Sequence, residues 1–401
     1  MMTNMHSPKP IRIRLGDVLL FIEAFLVVQP AILSIVFDDV LNYVLIFFLL
    51  LELALSKKII KPSILVTLIT VSLFYQLGVT LSLHSMGLQS AVMKAIPSFL
   101  CIIMIWRRIK VSNFTTIHVI ALAFWWIIVI NFLSVLLFPD GLTQGYSVSL
   151  QFHKIYFLGV DNQFGKILFP ALAVIWFDEE YRKSNHHFAS ITAMILVLST
   201  YLIRMSGGGL IATVLFAIFY IVYRLNNKSR IFSLKAMVIV LALLYVGIIG
   251  GSAFIYSNKL FANIAYAIGK NTTLTGRTNI WAVCLITFFK QPIFGMGWQL
   301  RDAVVAMSVP YSAHNRILQT LLEGGIIAGV LLGLQLVLAM HRCSETAGTV
   351  PSIKILSVGI FITFIYFIVE TGTLTPIYIV ITIIAMVSEL DTKQQSLSMS
   401  R

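Results

Sequence analysis

Charge is scarce in this chain. Asp, Glu, Lys and Arg make up 11% of its 401 residues, against about a quarter in a typical soluble domain. That shortage excludes a protein whose whole surface faces water. Acidic residues are rarer still, 16 against 29 Lys and Arg, so the net charge is +13. Cysteine is almost missing. Cys101, Cys284 and Cys343 lie too far apart for a disulfide framework or a metal knuckle. A cleavable leader is not evident either. The first apolar run contains Glu23 and Pro30 and lacks a small-residue cleavage site, so it is expected to stay as a signal-anchor. No internal repeat is convincing, and the apolar runs do not alternate as the strands of a membrane barrel would.

What is present is apolar length. Hydrophobic residues make up 58% of the chain, mean hydropathy is +0.92, and runs of about 20 residues recur, enough for a helix to cross a bilayer. The expected fold is all-α and polytopic, with about twelve transmembrane helices in one integral domain over 1–401. The runs cover 17–37, 40–56, 63–83, 89–106, 115–138, 163–177, 188–204, 207–224, 236–256, 316–340, 353–370 and 375–390.

Loop charge orients them. Cations gather before the first run (Lys9, Arg12, Arg14) and after the second (Lys57, Lys58, Lys61), fourth (Arg107, Arg108, Lys110), sixth (Arg182, Lys183) and eighth (Arg224, Lys228, Arg230, Lys235). Arg342, Lys354, Lys393 and Arg401 continue the pattern. With alternating runs all of these fall on one side, the cytoplasm by the positive-inside rule, and both termini with them. The same rule accounts for the net charge without nucleic acid. Two opposite-side segments are long, 139–162 and 257–315. A stretch as long as the second is expected to fold and work. Within it "TNIWAVCLITFFKQP" (278–292) reads as an amphipathic interfacial helix and "GMGW" as a turn after it.

The outer side gathers chemistry. Arg204, Arg277, Arg301, Arg316 and His314 all map there, and converging guanidinium groups suit phosphate oxygens. The plain alternative is that these arginines snorkel to headgroups. His314 can move a proton at neutral pH. It could also be structural, with Asn315 the helix cap beside it. Glu323 lies inside the run from 316 and needs a partner there, an outer arginine being the natural one. Asn162, next to Asp161, can hydrogen-bond a sugar or close a turn. "SGGG" (206–209) reads as a close helix contact or as free N–H groups for an anion, packing being the better reading. Asp38-Asp39 reads as a solvated turn or as a divalent-cation site in a metal-dependent transferase. Lys94 and Pro97 interrupt a run, marking a cavity or a kink.

Two stretches carry a resemblance. "TGRTNIWAVCLITFFKQPIFGMGW" (275–298) and "HNRILQTLLEGGIIAGVLLG" (314–333) resemble the bacterial O-antigen ligase and polysaccharide polymerase superfamily. Arg277, Pro292, Gly295, Gly297, His314, Asn315, Glu323 and Gly325 follow its pattern in order, over about sixty residues. "GVDNQFGKILFPAL" (159–172) resembles its Asn-containing start of a mid-chain span. One departure stands out: Gly207 lies where that superfamily often has an arginine after serine, and Arg204, about one turn earlier, is the candidate substitute.

The resemblance implies a GT-C-like membrane glycosyltransferase in the bacterial cytoplasmic membrane, its cavity open to the outer leaflet. It implies undecaprenyl-diphosphate-linked oligosaccharide as donor and acceptor, no cofactor and no metal, with a chain-length regulator as a further partner. The reading favoured is a polymerase of surface polysaccharide, with ligation to a lipid A core as the alternative. In it His314 activates the acceptor hydroxyl, and Arg277 and Arg204 hold the donor diphosphate. Arg301, Arg316 and Asn315 position it, with Glu323 and Asn162 completing the substrate-binding set. The rival from another class is a flippase or transporter of the same lipid-linked glycan, which should carry midplane charges and repeated halves.

Overall fold

The computed structural model describes residues 14–37, 40–55, 61–146, 152–184, 186–226, 233–250, 277–298 and 312–399. Fourteen α-helices dominate them. In chain order they are α1 (Leu15–Leu26), α2 (Ala31–Phe37), α3 (Val40–Leu55), α4 (Ile64–Ser82), α5 (Leu88–Val111), α6 (Asn113–Leu137) and α7 (Gly165–Tyr181). There follow α8 (Phe188–Arg204), α9 (Gly207–Leu225), α10 (Leu234–Gly250), α11 (Arg277–Phe288), α12 (Arg316–Thr346), α13 (Ile353–Tyr366) and α14 (Thr375–Met399). Each apolar run read from the sequence holds a helix among its described residues, and the architecture is that of a polytopic helical membrane protein.

Length separates these helices. Six are long and apolar enough to cross a membrane: α4, α5, α6, α9, α12 and the apolar part of α14. A seventh is obtained if α1 and α2 count as one bent span. The run at 17–37 is therefore not one straight helix but a pair bent by 93°. Gln29 at φ +50 and Pro30, which has no N–H to donate, break it. The run at 353–370 also ends early, at Tyr366. A 14-residue helix rises only about 21 Å, short of a hydrocarbon core of about 30 Å.

The all-α expectation needs one addition. The long segment after α6 forms a two-stranded antiparallel hairpin, β1 (Thr143–Tyr146) on β2 (Phe152–Ile155), with Gln144 opposite Lys154. Lys154 braces it by donating to Asp140 at 2.7 Å and to the Pro139 carbonyl at 3.1 Å.

Small residues set the closest helix contacts. A Cβ on Gly359 of α13 would lie 2.2 Å from the Ala173 Cβ of α7, so these two helices meet almost backbone to backbone. A Cβ on Gly209 would lie 2.0 Å from the Tyr201 ring, which supports packing as the role of "SGGG". Pro97 sits within a continuous α5. At the other end of the bundle, Arg108 of α5 donates to Glu52 of α3 and to the Gly16 carbonyl of α1, tying three helices together.

One break positions the site. Inside α12, Gly325 takes φ +64 and ψ −164, which releases main-chain groups from the helical ladder. The turn after α11 takes them up. Met296 and Gly297 donate their N–H groups to the Leu322 and Glu323 carbonyls at 2.7 and 2.8 Å, and Ile326 donates to the Pro292 carbonyl at 2.8 Å. Gly295 and Gly297 stand at φ +73 and +78. A side chain at Gly295 or Gly325 would collide with the opposing backbone. The Pro-x-x-Gly-x-Gly pattern and the Glu-Gly-Gly pattern are thus two halves of one main-chain joint. Trp298 closes it, donating from its backbone to Thr80 Oγ1 and from its indole to Gln76 Oε1, both at 2.9 Å.

Candidate functional site

The site grows from the start of α12. Asn315 caps it: its Oδ1 accepts from the Leu318 N–H at 3.0 Å. Its Nδ2 donates to the Ile368 carbonyl at 3.0 Å, and the Arg316 N–H donates to the Phe367 carbonyl at 3.0 Å. These carbonyls belong to the residues just past α13, so the early end of that helix supplies the acceptors. Ser312 and Thr371 join their hydroxyls at 2.8 Å. Segment 312–316 is thereby docked along segment 367–372. His314, at φ +45, is turned out of the helical path at this junction.

Glu370 is the result. Its carboxylate is buried, with 4% of the side chain exposed. It accepts from the guanidinium of Arg277, the first residue of α11, and from Asn162 Nδ2 at 3.1 Å. His314 Nδ1 lies 3.5 Å from its Oε2. That nitrogen is buried and has no hydrogen-bond partner, while a third of the His314 side chain is exposed. Asn162 is fixed in turn, its carbonyl accepting from the Tyr366 hydroxyl. Four separate parts of the chain meet at one carboxylate.

Arg204 joins from the side. It ends α8, which the left-handed Met205 terminates at φ +50. Its Nη2 lies 3.4 Å from Asp161 Oδ2 and its guanidinium sits 4.8 Å over the Tyr156 ring. Asp161 precedes Asn162, so Arg204 and the Glu370 cluster are adjacent. Arg204 Nε is buried without a partner. Lys166, one residue into α7, lays its stem against Gly372, and Glu370 is the charge that acts on it. With His314 neutral, three cations stand against two carboxylates, an excess suited to an anion.

Other expected residues turn elsewhere. Arg316 is buried, pairs with Glu323 at 3.5 Å and donates to the Gly372 carbonyl at 3.2 Å. Glu323 also accepts from Gln319 at 3.0 Å. The expectation that Glu323 needs an outer arginine matches this pairing, and Arg316 does not reach outward to headgroups. Asn315 is fully buried and both ends of its amide are engaged inside the fold. Arg301, Asp38 and Asp39 lie outside the described residues, as does most of 257–315 beyond α11 and its turn. Among the described residues no three His, Cys, Asp or Glu side chains gather as metal ligands would.

Sequence reasoning missed Glu370 and Lys166. A signal was present for both. Each is a charge at the end of a long apolar run, where an ionisable group is costly and points to a partner.

Residues 192–333 match the family described as O-antigen ligase. That match supports the O-antigen ligase and polymerase superfamily. No curated protein matches it. The superfamily domain takes in Arg204, Arg277, His314, Asn315, Arg316 and Glu323, together with the glycine joint. Asn162, Lys166 and Glu370 lie outside those limits and reach the domain through space alone. Members of this superfamily are membrane glycosyltransferase-like enzymes that act on lipid-linked glycans, and the match supports an enzyme role here. A regulatory partner that sets chain length finds no support in the match.

Proposed function

We propose that the protein is a polymerase of undecaprenyl-diphosphate-linked oligosaccharide repeats. It works at the outer face of the bacterial cytoplasmic membrane, as one integral domain of twelve membrane-inserted segments in a GT-C-like arrangement, both termini inside. The observation that carries this reading is the meeting of Arg277, Asn162 and His314 at Glu370. With Nδ1 turned toward the carboxylate, the imidazole is left with Nε2 to accept a proton. The acceptor hydroxyl gives that proton to His314 as its oxygen bonds to the donor's anomeric carbon. The bond from that carbon to the phosphate oxygen breaks, and undecaprenyl diphosphate leaves with the electron pair. Arg277, Arg204 and Lys166 stabilise the charge on it, so the step needs no metal. Glu370 holds Arg277 in place and stabilises the imidazolium that forms. Asn315 shapes the start of α12 without touching substrate.

Charges gathered at one end of the bundle support chemistry there over carriage across the midplane. A second reading is transfer of the finished glycan to a lipid A core, which the family match does not distinguish from polymerisation. Purified protein given only lipid-linked repeats separates the two: a ladder of chain lengths supports the polymerase. In cells, His314→Ala and Arg277→Ala should each abolish long-chain glycan while the protein stays in the membrane. Full-length polymer from either variant removes that residue from the mechanism.

A further inference from the structure

A second cationic cluster adjoins segment 370–373. Glu370 serves the His314 cluster, whereas the Gly372 carbonyl accepts from Arg316, which pairs with Glu323. Lys94 of α5 holds its ammonium 4.9 Å over the Trp298 ring. Among the described residues Lys94 has no carboxylate within ion-pair distance, and the charges that act on it are Glu323 and Arg316. The side chain is exposed. Arg316 Nε is buried without a hydrogen-bond partner. Among the described residues Glu323 is therefore paired with Arg316 alone, and Gln319 already occupies one of its oxygens.

Fold stability does not call for the second cation. One arginine satisfies Glu323, and a lone ammonium in the second turn of an apolar helix is costly unless an anion visits it. The Trp298 face steadies Lys94 without neutralising it. Trp298 is held by Gln76 and Thr80, so the platform is rigid.

We infer that Lys94 and Arg316 form a second anion site, which takes the phosphate groups of a lipid-linked acceptor. The inference rests on the polymerase reading, in which both substrates carry a diphosphate and each needs its own hold. Donor phosphate sits with Arg277, Arg204 and Lys166; acceptor phosphate sits with Lys94 and Arg316, beside segment 370–373. The attacking hydroxyl then arrives from the α5 side of His314.

The test counts bound lipid. Full-length protein in phosphatidylcholine nanodiscs is titrated with undecaprenyl diphosphate and read by native mass spectrometry. Wild type should hold two molecules, Lys94→Ala one and Lys94→Arg two again; the molecule kept by Lys94→Ala reports that the variant is folded. One molecule on wild type, two on Lys94→Ala, or none on Lys94→Ala each overturns the second site. The same titration in phosphatidylglycerol nanodiscs separates the sources of phosphate. If that lipid fills the Lys94 site and undecaprenyl diphosphate cannot displace it, the site binds bilayer headgroups and the acceptor assignment fails. Two bound molecules with no glycan transfer would sink the polymerase reading and leave the second site standing.

Discussion

Replacing Glu370 with glutamine removes a charge and almost nothing else. The amide keeps the volume and an oxygen for Asn162, so the structural loss is confined to the ionic contacts of Arg277 and His314. A hydrogen bond to a charged group contributes about 1.5–3 kcal/mol. At 3.5 Å and an effective dielectric of about 20, a carboxylate and an imidazolium attract by about 5 kcal/mol before desolvation is subtracted. His314 is one-third exposed, which screens the pair. A loss of about 3 kcal/mol in the transition state is the balanced expectation, and it slows turnover somewhat more than a hundredfold. The assay is polymer formation by purified protein from lipid-linked repeats, with kcat and KM determined separately. The fall should be mainly in kcat, because the imidazolium exists only once the proton has moved. The melting temperature, read in parallel, corrects for unfolded protein, since orphaning Arg277 also costs stability. A kcat within threefold of wild type at unchanged melting temperature would refute the role given to Glu370.

Three further outcomes follow from the same geometry. Arg204→Ala should raise the donor KM at least tenfold, with Arg204→Lys recovering part of the loss; an unchanged KM returns Arg204 to a bracing role beside Tyr156. Gly325→Ala should lower stability by at least about 3 kcal/mol, because its Cβ would lie 2.0 Å from the Ile293 carbonyl oxygen at φ +64; thermal denaturation in detergent measures it, and a normal melting curve would mean the joint can rearrange. Prolonged treatment with EDTA should leave the rate of glycan transfer unchanged, whereas loss of activity restored by a divalent cation would bring Asp38-Asp39 back as ligands.

The helices were legible because each is local. Apolar runs such as 115–138 and 207–224 predict helices whose observed ends differ by only a residue or two. The Asn315 cap was legible for the same reason, since it reaches only three residues ahead. Gly295, Gly297 and Gly325 announced themselves as glycines in a motif, but not that they face one another. The hub at Glu370 was out of reach, because Arg277 lies 93 residues from it and Asn162 lies 208. No spacing rule connects such pairs; only the docking of 312–316 on 367–372 does. The early end of α13 was hidden too. Phe367, Ile368 and Val369 continue an apolar run in sequence, yet the Phe367 and Ile368 carbonyls are worth more to the start of α12 than to another helical turn.

The joint between the two glycine patterns has an evolutionary corollary. Its bonds run between main-chain atoms, with Trp298 fastened on one side of residues 299–311 and Ser312 on the other. Both clasps are made by described residues on either side of 299–311. On the polymerase reading, side chains around this main-chain joint can change to suit a new sugar while imidazole, guanidinium and carboxylate keep their places.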